Sequence, residues 1–329
     1  MKVLQTIIGT DLSKDTIDLV CFPGNNHLKA GNMTSGFRGF LKWIRQQKID
    51  VSQMMLVMEH TGLYSYHFEN FLHKKGISFT KIPALAIKRS LGLVRGKNDK
   101  VDAQRIARYG YEKRDQLKAE SLPDETLKRL AMLHSTREKL VRDRASLKCS
   151  LKQYRGVVKT GDIAVRSRQD LISQFSKWIE KLEAEIRDLT ASSESIQRTS
   201  ELLRGIPGVG PVLSTATIIK TKNFTCFETS RKFCCYCGSA PFEHSSGTSI
   251  RRRTRISHLA DKGMKTLLDQ AAKSAIQHDK ELKAFYQRRL EMGKSKKSTI
   301  NIIRNKIIYR MFAVIKRGTP FVKDFLKTA

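Results

Sequence analysis

Apolar runs with the length and composition of β-strands recur through the first hundred residues. Four of these runs, Val3–Gly9, Thr16–Phe22, Met54–Met58 and Ile77–Ile82, predict strands. The turn sequence Pro23–Asn26 predicts a hairpin that leads into a further strand. Early hairpin strands followed by strands that are farther apart predict a mixed α/β sheet with helices on its faces.

Between the strands, apolar residues follow helical spacing. Phe37, Phe40, Leu41 and Ile44 fall on one helical face, and Tyr64–His73 is a second helical segment. The ribonuclease H-like fold has this order of elements, and so do other α/β folds. The sequence therefore predicts the class of the N-terminal region but leaves its particular fold open.

Heptad repeats of apolar residues mark the middle of the chain. Leu133, Leu140 and Leu147 are seven residues apart, and a second stretch follows a break at Gly156–Gly161. These stretches predict two long helices with coiled-coil seams of about three heptads each. An intramolecular hairpin and a contact between subunits both satisfy the pattern. The apolar residues of the second stretch are Leu171, Ile172, Phe175, Trp178, Ile179, Leu182, Ile186 and Leu189.

Three regions follow from these patterns. We predict an α/β domain over 1–120, long linking helices over 121–195 and a mostly helical domain over 196–329. A length of 329 residues is sufficient for two or three domains.

The composition indicates a polyanionic partner. Lys and Arg number 62 against 31 Asp and Glu, which gives a formal net charge of +31. This charge favours nucleic acid as the partner, with an anionic membrane surface second. No apolar run in the sequence is long enough to span a bilayer. The six cysteines form no disulfide pattern and the first residues show no signal peptide, so we expect a reducing, cytoplasmic compartment.

Four acidic residues flank the predicted strands and helices. Asp11 and Glu59 come at the ends of two strands, and a helix start near Asn98 would place Asp99 and Asp102 on one helical face. Strand ends of an α/β sheet meet at one edge, so these carboxylates can gather there. Gathered carboxylates repel one another and need cations. Two Mg²⁺ ions would satisfy them and could clamp the reacting oxygens of a phosphodiester, whereas each acid alone could equally be a helix cap or a surface charge.

A glycine-rich turn in the last region has the features of a nucleic-acid contact. Gly205–Gly210 is similar to the turn of a helix–hairpin–helix element. Gly208 and Gly210 would let a phosphate approach free backbone N–H groups at the start of the next helix. An ordinary turn between two helices is the alternative.

A serine-rich loop leads from Gly238 into a run of arginines. Arginine side chains can hold phosphate through two hydrogen bonds, and a serine hydroxyl can attack phosphorus once its proton is removed. A basic loop that only holds the nucleic-acid backbone is the simpler interpretation. The arginines are Arg251, Arg252, Arg253 and Arg255.

Cysteines cluster just before this loop. Cys234 and Cys237 have the spacing of zinc ligands, and Cys226 with His244 would complete a set of four. Because no second pair with that spacing follows, small buried cysteines are the favoured interpretation.

Taken in order, these motifs resemble the DEDD-type insertion-sequence transposases, which are serine-dependent, bridge-RNA-guided recombinases related to pilin-gene invertases. Five short motifs in collinear order over nearly the whole chain carry the resemblance. They are Gly9-Thr-Asp11, Glu59-x-Thr-Gly62, Lys97-Asn-Asp-Lys-Val-Asp102-Ala, Ile206-Pro-Gly-Val-Gly210, and Gly238-x-Ala-Pro241 followed by Ser246-Gly247.

The resemblance implies a role for each region. The first domain would be RuvC-like, a ribonuclease H-type fold in which Asp11, Glu59, Asp99 and Asp102 bind Mg²⁺. The central coiled coil would serve assembly into a homo-oligomer, a dimer or a tetramer. The C-terminal transposase domain would supply the nucleophile, which falls on Ser246.

The same resemblance implies a reaction and its partners. Such enzymes cut and rejoin target and donor double-stranded DNA through a phosphoserine intermediate, and a non-coding guide RNA pairs with both DNAs. The active site would combine the RuvC-like domain of one subunit with the serine domain of another. The expected setting is a bacterial or archaeal cytoplasm, at the nucleoid. Ser245 and Ser249 stay open as alternative nucleophiles.

Two other hypotheses use the same residues. A RuvC-like nuclease would hydrolyse junction DNA with a metal-activated water and use Ser246 only for contact. A non-catalytic nucleic-acid scaffold would lose at most some affinity when the acids are replaced. A covalent protein–DNA adduct separates the recombinase from both.

Overall fold

The chain forms two compact units in the computed structural model, Met1–Leu122 and Pro123–Ala329. The division into three domains stays a prediction. The structure describes residues 4–90, 98–120, 124–154, 156–159, 161–246 and 250–322.

A mixed five-stranded sheet with helices on both faces forms the first unit, as the sequence predicted. The strand order is β3-β2-β1-β4-β5, in which β1, β2 and β3 are antiparallel neighbours and β1, β4 and β5 are parallel neighbours. The strands are β1 Thr6–Leu12, β2 Thr16–Phe22, β3 His27–Gly31, β4 Met54–Glu59 and β5 Phe79–Ile82, and the helices are α1 Thr34–Gln46, α2 Tyr66–Lys74, α3 Ala84–Ser90 and α4 Asp99–Glu112.

The first strand lies farther along the chain than predicted. It runs over Thr6–Leu12, whereas the prediction was Val3–Gly9, of which Val3 lies outside the described residues; antiparallel pairing with β2 extends the strand as far as the pair Leu12 and Ile17. Asp11 therefore lies within the strand, one residue before its end, which corrects the prediction that it closes the strand.

Alternate residues of the central strands pack on opposite faces of the sheet. Ile8 of β1 belongs to the core formed with α1 and α2, which includes Phe40. Ile7 and Val57 belong to the smaller core on the other face, which includes Ile106 of α4. Both central strands are thus buried on both sides, as expected for a sheet between two helical layers.

Helix α4 approaches β1 closely because small residues face each other. A Cβ atom on Gly9 would lie only 2.2 Å from the carbonyl oxygen of Ala103 and from the amide nitrogen of Ala107. Near the other end of the helix, a Cβ atom on Gly110 would lie 2.9 Å from Cγ2 of Ile7. Residue numbers rise along α4 as they fall along β1, so the start of α4 lies beside the end of β1.

The second unit consists of helices and one two-stranded sheet. Its core brings together the long helices and the C-terminal helices, and Leu130, Leu203, Phe233, Leu268 and Ile303 are all 0% exposed within it. No helix in the described ranges is both long and apolar enough to cross a membrane. The elements are α5 Glu125–Tyr154, α6 Ile163–Ala191, α7 Glu194–Arg204, α8 Pro211–Thr221, α9 Ser230–Tyr236, β6 Pro241–Ser246, β7 Ile250–Ile256, α10 Lys262–His278, α11 Lys280–Glu291 and α12 Lys296–Arg317.

Helices α5 and α6 pack against each other as an antiparallel hairpin. Arg129 donates to Glu185 at 2.8 Å, and nearer the connection Arg144 donates to Ser176 at 3.1 Å. Residue numbers therefore increase along α5 in the direction in which they decrease along α6, so the two helices are antiparallel. The intramolecular hairpin, one of the two arrangements that the heptads left open, is therefore present in the chain.

Part of the second heptad stretch remains uncovered by this hairpin. Ile179 is buried at 4% exposure, whereas Leu171 and Trp178 are 46% and 55% exposed. Leu171 and Trp178 are seven residues apart and share one side of α6. That side of the helix presents an apolar surface within the single chain.

Gly9→Ala should destabilise the first unit by about 2 kcal/mol, because the new methyl group would overlap the backbone of α4. Gly39→Ala is the matched control, since Gly39 lies in α1 with nothing within 4 Å of a Cβ atom and alanine favours helix. The urea unfolding midpoint measures both variants. A Gly9→Ala midpoint as high as that of Gly39→Ala would contradict the close packing.

Candidate active site

Four acidic side chains lie where the start of α4 meets the ends of β1 and β4. The Asn98 side chain accepts a hydrogen bond from the Val101 N–H at 2.8 Å, so the helix starts at Asp99 as predicted. Asp99 and Asp102 both lie in its first turn. The acids of the two strands, Asp11 and Glu59, follow the cross-strand pair of Thr10 and Met58.

The electrostatics of Asp11 show that these acids share one environment. Burial is the largest cause that raises the pKa of Asp11 to about 6. Negative charges nearby raise it further, and they belong to Asp102, Asp99, Glu59 and Asp18, in decreasing order. The sheet edge therefore concentrates negative charge in a partly desolvated place, which is a favourable position for a cation.

Two acids of this group already contact basic side chains. Nη1 of Arg105 lies 2.8 Å from Oδ1 of Asp102, one helical turn away. Nζ of Lys29 lies 3.9 Å from Oδ2 of Asp99. These contacts partly neutralise the group.

Asp18 is a fifth acid that the sequence reasoning missed. It is the cross-strand partner of Asp11 in the register of β1 and β2. Its side chain is 3% exposed, and its Oδ1 lies 2.7 Å from Nε2 of His27. The signal was available, because Asp11 lies two residues before the Ser13–Thr16 turn and Asp18 lies two residues after it, and residues so placed in a hairpin face each other.

The chemistry of the acid group fits a divalent metal ion. Carboxylate oxygens are the preferred ligands of Mg²⁺, and a cation would relieve the repulsion that raises the pKa of Asp11. Within the described ranges, no three or more His, Cys, Asp or Glu side chains already form a group that could hold a metal ion. Asp11, Glu59, Asp99 and Asp102 as metal ligands therefore stay a prediction.

The predicted serine and arginines lie on the two strands of the second unit. Ser246 is the last residue of β6, and all four predicted arginines lie on the antiparallel partner β7. Ser245 is directly opposite Arg251. Gly247 and Ser249 lie outside the described residues. The strand pairing thus brings the backbone of the serine segment beside an arginine-rich strand.

The glycine-rich turn joins α7 to α8. Gly208 has a φ of +87°, and a Cβ atom there would lie 2.4 Å from the carbonyl oxygen of Ala271, so packing against α10 explains this glycine. Gly210 precedes α8 without a side-chain cap, and nothing lies within 4 Å of its Cβ position. Space for a phosphate exists at Gly210. Nucleic-acid contacts at Gly208 and Gly210 stay predictions.

The cysteine cluster has the properties of a packed core. Cys234 and Cys237 are buried, while Cys226 is exposed. Burial raises the pKa of Cys234 to about 11 and that of Cys237 still higher, so both thiols stay protonated at neutral pH. The burial of Cys234 and Cys237 agrees with small cysteines packed in a core, and the side chain of His244, the fourth predicted zinc ligand, lies outside the described side chains.

Two family models match the chain. Residues 8–154 match a DEDD-type IS110 model described as Transposase, and residues 200–287 match the Transposase IS116/IS110/IS902 family. The pilin gene-inverting proteins of Moraxella bovis and Moraxella lacunata are each 28% identical over 327 residues, which is 97% of this chain and 98% of theirs. An insertion element IS110 protein of 43.6 kDa from Streptomyces coelicolor is 26% identical over 49% of this chain and 38% of its own length.

The family matches define a DNA transposase, and the mixed sheet followed by a helical unit fits a RuvC-like α/β domain with a helical domain. The chain belongs to the IS110 family of transposases, which confirms the resemblance to insertion-sequence transposases drawn from the motifs. It is therefore a DNA-binding enzyme of recombination. A domain of the DEDD type also indicates dependence on a divalent metal ion.

Asp11→Asn should stabilise the metal-free protein at neutral pH, because it removes a charge from a repelling group. The pKa of Asp11 in the folded chain, about 6, exceeds the ordinary value of 3.8, so its contribution to stability decreases as the pH rises between these values. Melting temperatures in a metal chelator should differ more between wild type and variant at pH 7.5 than at pH 4. Asp115→Asn, at an exposed position of the same unit, is the control. A difference in melting temperature that does not change with pH would argue against electrostatic repulsion between Asp11 and the neighbouring acids.

Proposed function

We propose that this transposase cuts and rejoins double-stranded DNA through a covalent phosphoserine on Ser246, with assistance from Mg²⁺. The supporting observation is the gathering of four acids around Asp11 at the sheet edge, which concentrates the negative charge that divalent ions neutralise. The placement of Ser246 on a strand paired with an arginine-rich strand adds to it. In this proposal, residues 1–120 carry the acids, 121–195 link and assemble the subunits, and 196–329 carry the serine.

The acids would serve as ligands. Asp11, Glu59, Asp99 and Asp102 supply carboxylate oxygens, and four charges match two Mg²⁺ ions. When bound, the ions would polarise the scissile phosphate and stabilise the charge that develops on it. Asp18 contacts His27 and adds to the negative field at Asp11, so it strengthens the preference of the site for cations.

The serine step conserves the number of phosphodiester links. The hydroxyl oxygen of Ser246 forms a bond to phosphorus while the bond from phosphorus to a deoxyribose oxygen breaks. The serine proton passes to solvent, and the released deoxyribose oxygen takes a proton from solvent. Attack by a deoxyribose hydroxyl of the other DNA reverses the step, so rejoining needs no external energy source. The arginines of β7 are suited to hold the phosphate oxygens during this exchange.

A guide RNA would supply the sequence specificity. If an RNA pairs with both DNAs, the protein itself needs only to bind phosphate and helix shape, which a formal charge of +31 supports. Relatives whose name describes inversion of a pilin gene support rearrangement of DNA as the outcome.

Strand cleavage tests the two chemical roles. The substrate is a duplex with the end junction of the element, together with the transcript of its flanking non-coding DNA and Mg²⁺. Wild type should form an adduct that survives denaturation, and Ser246→Ala should form none, whereas Ser245→Ala as the matched control should still form it. Asp11→Asn should abolish cleavage and leave RNA binding nearly unchanged, because the carboxylate and not the fold is lost.

Other outcomes have clear meanings. Cleavage by wild type without any adduct would establish the water-using nuclease instead. Cleavage by Asp11→Asn at the normal rate would refute the assignment of the acids. Formation of the adduct in Ser246→Ala but not in Ser245→Ala would move the nucleophile by one residue.

We also propose that the uncovered apolar side of α6 binds a second copy of the chain. Trp178→Glu should weaken self-association at least about tenfold, since a tryptophan at an interface is frequently a dominant contact. Ser173→Glu places the same charge at an exposed position elsewhere on α6 and is the control. Sedimentation velocity over a concentration series measures the effect, and equal profiles of the two variants would refute the contact.

A further inference from the structure

Two asparagines of α12 hydrogen-bond to Ser239, which lies just before β6, the strand that ends at Ser246. Ser239 lies two residues before β6 and is 0% exposed. Its carbonyl oxygen accepts hydrogen bonds from Nδ2 of Asn301 at 2.7 Å and from Nδ2 of Asn305 at 3.2 Å. The two asparagines are one helical turn apart, so both amides reach the same carbonyl.

The first amide is itself held in place. Nη1 of Arg304 donates to Oδ1 of Asn301 at 3.3 Å, and the same guanidinium forms a salt bridge with Asp269 of α10. Because its oxygen is occupied by Arg304, the Asn301 amide presents its NH₂ group to Ser239. A network across two helices thus sets the direction of this hydrogen bond.

Both ends of the hairpin are anchored to the helical core. At the β6 end, the N–H of Ser239 donates to the carbonyl oxygen of Cys234 at 3.0 Å. Beyond β7, the N–H of Asp261 donates to the carbonyl oxygen of Tyr236 at 2.9 Å, and Nζ of Lys220 lies 2.9 Å from Oδ2 of Asp261. The hairpin therefore projects from a fixed base.

The length of the strand amplifies any movement at that base. Ser246 is seven residues beyond Ser239, which corresponds to roughly 20 Å of extended chain. A rotation of about 5° at Ser239 would move the backbone of Ser246 by about 2 Å. A two-stranded hairpin has little stability of its own, so its direction depends on these anchors.

We infer that Asn301 and Asn305 are positioning residues for the proposed nucleophile. The inference rests on the proposed function of Ser246. The asparagines fix the Ser239 carbonyl, that carbonyl sets the direction of β6, and β6 sets where the serine hydroxyl meets the phosphate. Their loss should slow the chemical step and leave DNA binding intact, because attack requires alignment within about 1 Å while binding is spread over many phosphate contacts.

The test compares the Asn301→Ala/Asn305→Ala double variant with wild type in the adduct assay. The rate at saturating DNA should fall by about 10- to 100-fold, while the DNA concentration for half-maximal rate stays the same. Each single variant keeps one donor and should lose less. Hydrogen exchange at the backbone amides of residues 240 and 242 should become faster in the double variant.

Thr299→Val is the matched control. Thr299 lies on the same helix and is 0% exposed, but its hydroxyl bonds to the Ser295 carbonyl and not to Ser239. This variant should lower the melting temperature and keep the rate of adduct formation. If it slows the adduct as much as the double variant does, the asparagines act only through stability and the inference is wrong.

The assay also separates this inference from its premise. A normal adduct rate in the double variant, with none in Ser246→Ala, would overturn the role of the asparagines and leave the proposed function standing. An adduct in Ser246→Ala would show that Ser246 is not the nucleophile, and the inference about the asparagines would then fail as well. Should the double variant not fold, Asn305→Ala alone, which retains the 2.7 Å bond of Asn301, gives the same comparison at smaller amplitude.

Discussion

The close approach of α4 to β1 determines the geometry of the first unit. Side chains normally separate a helix from the sheet on which it packs. Here Gly9 leaves no side chain in the way, and Ala103 and Ala107 are small and fully buried. This contact fixes the direction of the helix, and the direction places the acids of its first turn against those of the strands. The acid group is thus a result of backbone packing as much as of residue type.

The sequence predicted the sheet and its two helical layers because strand runs and helical spacing are local signals. The end of β1 was not foreseen because it depends on pairing with a neighbouring strand, whereas the pairing of Asp11 with Asp18 follows from the short turn between β1 and β2 and was overlooked. The heptads likewise predicted α5 and α6 but did not show what each helix packs against, because an intramolecular hairpin and a contact between subunits have the same apolar spacing. The tether of Ser239 by α12 joins residues more than 60 positions apart and leaves no local pattern.

The two units solve different physical problems. In the first, a rigid sheet holds like charges together although burial disfavours the ionised form of Asp11, and polar partners such as the half-buried His27 beside Asp18 offset part of that cost. In the second, a helical core carries a hairpin whose strands need only a firm base. Glycine at position 208 and protonated, buried cysteines serve that core, so residues of a motif that looks functional in the sequence can also be required by packing.

Lys29 and Arg105 give the acid group counterions of its own. Because they are tethered, their local concentration stays constant however dilute the protein becomes. Part of the repulsion is therefore offset within the chain itself, and a divalent ion bound as proposed would have to displace these groups. Under the proposed metal-assisted cleavage, the activity would then follow the supply of divalent ions in the cell.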